Sequence, residues 1–186
     1  TTADQLLLGE DSDQDPILSV VLPTRNEEEG VAECIGEIKQ VIQQHGILTE
    51  IVISDSSTDN TPEIARELGA IVVTPDKLGY GYAYQYGFQH VRGRFVAMGD
   101  ADTTYDFTEI PDLLNPVLKG EADIVIGSRF EGEIAPSAMP SLHRYVGNPF
   151  LTRFLNTFYG AGVTDAHSGL RVFSRDALAQ LELRSE

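Results

Sequence analysis

The chain has 186 residues, 41% of them hydrophobic, enough apolar side chains for one packed domain and too many for a disordered tail. Twenty-nine Asp and Glu against thirteen Lys and Arg give a formal net charge of −16, a surface that disfavours nucleic acid as a partner. Only three of the cations are lysines (Lys39, Lys77, Lys119), and self-repulsion on this scale points to a salty cytoplasm that screens it.

The first sixteen residues, TTADQLLLGEDSDQDP, are polar and acidic around a Leu triplet, and predict a mobile arm or a lone helical turn. ILSVVL (17–22) then reads as a strand buried on both faces of a parallel sheet. Val31, Ile35, Ile38 and Ile42 recur at helical spacing up to Gly46, with the single cysteine, Cys34, as a core residue of that helix. EIVISD is a second strand, TPEIARELG a helix with Pro62 in its first turn, and AIVVT a third strand. A Gly- and Tyr-rich helix follows over about 79–92, then strand RFVAMG, helix TEIPDLLNPVLKG and strand ADIVIGS. The alternation predicts an α/β domain with a mainly parallel, Rossmann-like sheet and right-handed crossovers. No run approaches the roughly 18 apolar residues of a membrane span, and no signal peptide opens the chain, so this segment is expected to be soluble. The chain stops at LELRSE just after a short helical pattern, and the natural protein is expected to continue.

In such sheets ligands bind where strands end and helices begin. Here PTRNEE, SDSSTDNT, PDKLGYG, GDADTT and SRFEG follow the five strands in turn. The fourth puts Asp100 and Asp102 in a D-x-D at a strand end, a costly pair in isolation and a suitable one around a hard divalent cation bridging phosphate oxygens. Asp106 is expected to cap the next helix. The same DADTT also fits the nucleophile loop of haloacid-dehalogenase-like phosphatases, but that loop follows the first core strand, whereas three strand and helix units precede it here. The four tyrosines Tyr80, Tyr82, Tyr84 and Tyr86 alternate along one helix, cannot share a face, and read as packing or surface residues. Lys77 is a candidate phosphate contact, and Gly79 and Gly81 are candidates for close backbone approach to a diphosphate.

Seven motifs in order, VVLPTRNEEE, IVISDSSTDNT, LGYGYA, MGDADTTYDF, DIVIGSRF, LHRYVGN and DAHSGLRVF, resemble the inverting glycosyltransferases of family 2, which have the GT-A fold, and especially the polyprenyl (dolichyl) phosphate sugar transferases. The resemblance covers residues 17 to 181 and implies a catalytic domain over 17–186 acting at the cytoplasmic face of a membrane. It implies that Pro23 and Glu27 line a nucleotide pocket, that Asp55 accepts a hydrogen bond from the base, and that Asp100 lies against the nucleotide. Asp102, with Asp100, would hold Mg²⁺ or Mn²⁺ on the diphosphate. Two positions depart from the family pattern: Ser54 stands where a second acid is common, and Thr104 where a Gln is common. Arg129, Arg144 and Arg171 fall in motif loops and suit phosphate oxygens. His167 is a candidate substrate-site residue beside His143, and Asp165 a candidate general base. The resemblance thus implies transfer of a hexose from a UDP- or GDP-linked sugar to a polyprenyl phosphate, with transfer to a sugar hydroxyl of a growing glycan and a non-catalytic nucleotide-sugar-binding domain as the alternatives.

Overall fold

The computed structural model describes residues 2–127, 169–181 and 183. Their six-stranded sheet runs in the order β3 (Ile71–Val73), β2 (Thr49–Asp55), β1 (Leu18–Thr24), β4 (Phe95–Met98), β6 (Arg171–Ser174), β5 (Ile124–Ile126). The first four of these pair in parallel, while β6 lies antiparallel between β4 and β5, with Met98 opposite Arg171 and Arg171 opposite Ile126. The expected mainly parallel α/β sheet is therefore present, and β6, formed by RVFS, is an addition to the strands that the sequence pattern predicts.

Successive side chains on each strand enter two different cores. Leu18, Val20, Leu22, Ile51 and Ile53 pack with Ile35, Ile38 and Ile42 of α2 (Val31–His45), Ala65 of α3 (Thr61–Glu67) and Leu114 of α5 (Ile110–Leu118). Val21, Val52, Val96 and Phe173 pack on the other side with Tyr84 of α4 (Tyr80–Phe88) and Leu178 of α6 (Arg175–Gln180). Each such fully buried aliphatic side chain contributes about 1.5–3 kcal/mol relative to exposure, and burial on both faces is why these strands read as continuous apolar runs. The helix boundaries follow local chemistry: α2 ends in a left-handed turn at Gly46, Pro62 stands in the first turn of α3, and Asp106 caps the 3₁₀ turn Phe107–Glu109 by accepting from Thr108 N at 2.9 Å. Cys34 is buried as expected, and burial pushes its thiol up to about 11.

Residues 2–16 contain the lone helical turn that is one of the two expectations for this segment, packed on the domain. A helical turn, α1 (Ala3–Leu6), buries Leu6, and Leu8 is buried beyond it, while Leu7 bridges to Thr49 beside the sheet. Arg92 fastens the segment: its guanidinium donates to Gly9 O at 2.9 Å and Ser12 O at 3.0 Å, and its Nε meets the wholly buried Glu50 Oε2 at 2.8 Å. The Leu triplet supplies the apolar surface that makes docking favourable.

Candidate active site

The chain order folds β1 to β2 to β3 outward on one side, then returns through α4 to place β4 on the other side of β1. Between β1 and β4 the direction of winding switches, and a crevice opens beyond the carboxyl ends of these strands. A cleft of about 370 Å³ lies there. Pro23, Thr24, Arg25 and Glu27 line it from the end of β1, Gly79 and Tyr80 from the start of α4, and Asp100, Ala101 and Asp102 from the end of β4.

Three carboxylates thus face one space. Burial and the neighbouring Asp102, Asp59 and Asp100 all push the Glu27 carboxyl above its ordinary value. Asp102 is exposed and accepts from Thr104 N at 3.0 Å. Between them stands Thr103, a β-branched residue at φ 60°, a backbone conformation rarely adopted by such side chains and one that concentrates at functional loops.

The loop after β1 is laced to the loop after β2. Asn26, itself at φ 61°, donates from its backbone to Ser57 Oγ at 2.8 Å and accepts from Thr58 N at 2.8 Å, while Glu27 N donates to Thr61 Oγ1 at 2.9 Å. Gly79, at φ 150°, occupies a conformation open to glycine and gives the cleft a wall without a side chain.

Asp100 is held from below. Tyr80 donates to Asp100 Oδ1 at 2.7 Å, and the buried Tyr84 hydroxyl reaches the same oxygen at 3.0 Å and Gly99 O at 2.8 Å. The two rings meet edge to face at 5.2 Å, as residues four apart on a helix do. The expectation of packing or surface tyrosines misses these two hydroxyls, and spacing alone does not reveal them, because Tyr80 with Tyr84 and Tyr82 with Tyr86 are both i, i+4 pairs. Tyr82, on another face of α4, donates instead to Asp76 and carries Lys77 over its ring at 5.5 Å.

Of the other expected residues, Asp55 is nearly buried and lines not this cleft but an adjoining cavity of about 360 Å³ that shares Ser56 and Leu78 with it. Its Oδ1 accepts from Thr24 Oγ1 at 2.7 Å and Ser57 Oγ at 2.6 Å. Gly81 stands inside α4 and is not among the described lining residues. Arg171 is placed by β6 opposite Met98, two residues before Asp100. Arg129, Arg144, His143, Asp165 and His167 lie outside the described residues. The motif carrying the last two is joined to the D-x-D loop at its edge, where Gly169 N donates to Tyr105 Oη at 2.9 Å.

Among the described residues no three His, Cys, Asp or Glu side chains are grouped so as to hold a metal ion. Asp100 and Asp102 both line the cleft, and a hard cation that takes its remaining oxygens from water and substrate phosphates needs only one or two carboxylates. Two carboxylate side chains are oxygen donors of the kind that Mg²⁺ or Mn²⁺ takes.

Residues 19–182 match the family described as Glycosyl transferase family 2. A Haloferax volcanii protein, the low-salt glycan biosynthesis hexosyltransferase Agl6, is 61% identical over 184 residues, covering 99% of this chain and 45% of that protein. A dolichyl-phosphate hexose transferase from the same organism is 33% identical over 165 residues, covering 89% of this chain and 69% of that protein. Among solved structures, glucosyl-3-phosphoglycerate synthase from Mycobacterium tuberculosis, in complex with Mn²⁺, UDP-glucose and phosphoglyceric acid, aligns with a TM-score of 0.69 at 27% identity, covering 89% of this chain and 59% of that one. The chain spans 45% of the first of these relatives and 53% of another Haloferax volcanii protein, the glycosyltransferase AglJ, to which it is 34% identical over 168 residues, about half their length.

Proposed function

This chain belongs to glycosyl transferase family 2, and from that premise we propose that it transfers a hexose from a nucleoside diphosphate sugar to a polyprenyl phosphate. The observation that carries the reading is the gathering of Glu27, Asp100 and Asp102 around one cleft at the switch point between β1 and β4. Support for the donor comes from the solved neighbour holding Mn²⁺ and UDP-glucose, and support for the acceptor from the relative named a dolichyl-phosphate hexose transferase.

In this reading Asp102 and Asp100 would hold a divalent cation, and that cation would supply positive charge for the leaving nucleoside diphosphate. Gly79 lets the diphosphate approach the backbone, Pro23 and Glu27 shape the pocket, and Asp55 receives the base from the adjoining cavity. The acceptor's phosphate oxygen attacks the anomeric carbon, the bond to the diphosphate breaks, and configuration inverts. A phosphate monoester with a second pKa near 6 is already an anionic nucleophile at neutral pH, so it needs cations to approach a second anion rather than a base. Arg129, Arg144 and Arg171 fill that role, with His167 beside the sugar. The reaction would take place at the cytoplasmic face of a membrane; among the described residues no helix is long and apolar enough to cross one.

A second reading, transfer to a hydroxyl of a growing glycan, is favoured by the name of the 61% identical relative and would require a base, for which Asp165 is the candidate. The test is a screen of UDP- and GDP-hexoses with Mg²⁺ or Mn²⁺ in molar salt, offering polyprenyl phosphate, polyprenyl alcohol and oligosaccharide in parallel. Transfer to the phosphate alone, lost in Asp102→Asn and reduced more by Arg144→Ala than by any change at His143, is the expected result. Efficient transfer to the oligosaccharide, lost in Asp165→Asn, selects the second reading. Absence of any metal-dependent nucleotide binding selects a non-catalytic domain.

A further inference from the structure

We propose that Tyr80 and Tyr84 are positioning residues that hold Asp100 by one carboxylate oxygen, Oδ1, and so present the other, Oδ2, to the donor. The inference deepens the glycosyltransferase reading and rests on it for the identity of what Oδ2 meets.

An aspartate at the end of a strand has rotamer freedom that a ligand must pay to remove. Here two phenols converge on the same atom, at 2.7 and 3.0 Å. Tyr84 is anchored in the second core, stacks on Phe88 at 5.8 Å, and shares its proton between Asp100 Oδ1 and Gly99 O, the carbonyl of the residue just before it. Its hydroxyl therefore measures the position of Asp100 against the strand itself. Tyr80 completes the hold from the cleft wall, with its ring against Tyr84 and largely exposed. Carboxylates that ligate cations are commonly fixed in this way by donors behind them, and losing such a donor weakens metal affinity about 10- to 100-fold.

The variants that test the hold are Tyr80→Phe/Tyr84→Phe, which keeps both rings and removes both hydroxyls, and Tyr82→Phe, whose hydroxyl bonds Asp76 and not Asp100. UDP and GDP are titrated into each with Mn²⁺ and with EDTA, and the crystal structure of the double variant is determined. The expected result is a Mn²⁺-dependent affinity about 10- to 100-fold weaker in the double variant, an unchanged affinity in EDTA, no change in Tyr82→Phe, and an Asp100 side chain turned from its wild-type rotamer. Equal losses with and without metal mean that the tyrosines only support the pocket and overturn the proposal, as does an unchanged Mn²⁺-dependent affinity. If the wild type binds neither nucleotide, the donor reading fails, and the Asp100 rotamer in the double variant still decides: rotated supports the hold, superposed overturns it.

Discussion

Gly30 packs so closely against the Ala101 carbonyl that a Cβ on Gly30 would lie 2.8 Å from Ala101 O. This contact joins the entry of α2 to the middle residue of the D-x-D, and it is why Glu27 on one loop and Asp100 and Asp102 on the other share a cleft.

Gly30→Ala therefore forces a Cβ against a backbone carbonyl. The expected outcome is a stability loss of about 1–3 kcal/mol, the scale of local overpacking, together with weakened Mn²⁺-dependent nucleotide binding as the two loops separate. Chemical denaturation and calorimetric titration measure the two; a variant with full stability and full binding means that the loops are not coupled.

Glu27 gives a pH signature. Its folded-state pKa is raised above the ordinary 4.5, so between 4.5 and the raised value the folded protein binds more protons than the unfolded chain. Its contribution to stability is thus present at low pH and is lost as pH rises through that window. In EDTA, Glu27→Gln is expected to be more stable than wild type at neutral pH by about 0.5 kcal/mol, the scale of a solvent-screened charge contact, with the gap closing on acidification. Melting temperatures of both proteins across pH check it; a gap that widens toward acid has the wrong sign.

Arg92 and Glu50 form the charged anchor at the far end of β2 from the cleft. Arg92→Ala leaves the fully buried Glu50 carboxylate with only the Ser19 hydroxyl at 2.6 Å and the backbone N–H of residue 92. Breaking a buried pair from one side costs about 3–5 kcal/mol, and Arg92→Met/Glu50→Leu is expected to cost less than the single change. Urea unfolding gives the energies. Faster proteolysis within the first sixteen residues of Arg92→Ala is expected as well, because Gly9 and Ser12 lose their donors.

The charge of −16 predicts a salt requirement. Dilution from molar salt to about 0.1 M lengthens the screening distance from roughly 3 to 10 Å, so the melting temperature should fall. A midpoint that stays flat or rises on dilution rejects the halophilic reading and leaves the enzymatic one untouched.

Most of the architecture was legible in the sequence because it is written in short-range patterns. Apolar runs such as ILSVVL, helical spacing at Val31, Ile35, Ile38 and Ile42, and the punctuation of Gly46 and Pro62 each depend on neighbours within one or two turns. The ordered strand-end clusters placed Pro23, Glu27, Gly79, Asp100 and Asp102 at one end of the sheet, where they line one cleft. What only tertiary structure decided involves partners far apart in the chain. β6 becomes a strand by pairing antiparallel with β4 across more than seventy residues, and the N-terminal segment is docked by Arg92, eighty or more residues away. Tyr80 and Tyr84 separate from Tyr82 only when α4 is laid on β1 and β2, which turns their hydroxyls toward Asp100 and that of Tyr82 toward Asp76. Asp55 turns to the adjoining cavity because Thr24, its partner across the parallel pair, and Ser57 claim its carboxylate. Periodicity states which side of an element is apolar, whereas the direction of a hydrogen bond depends on which elements the sheet makes neighbours, and that choice is made by packing over the whole domain.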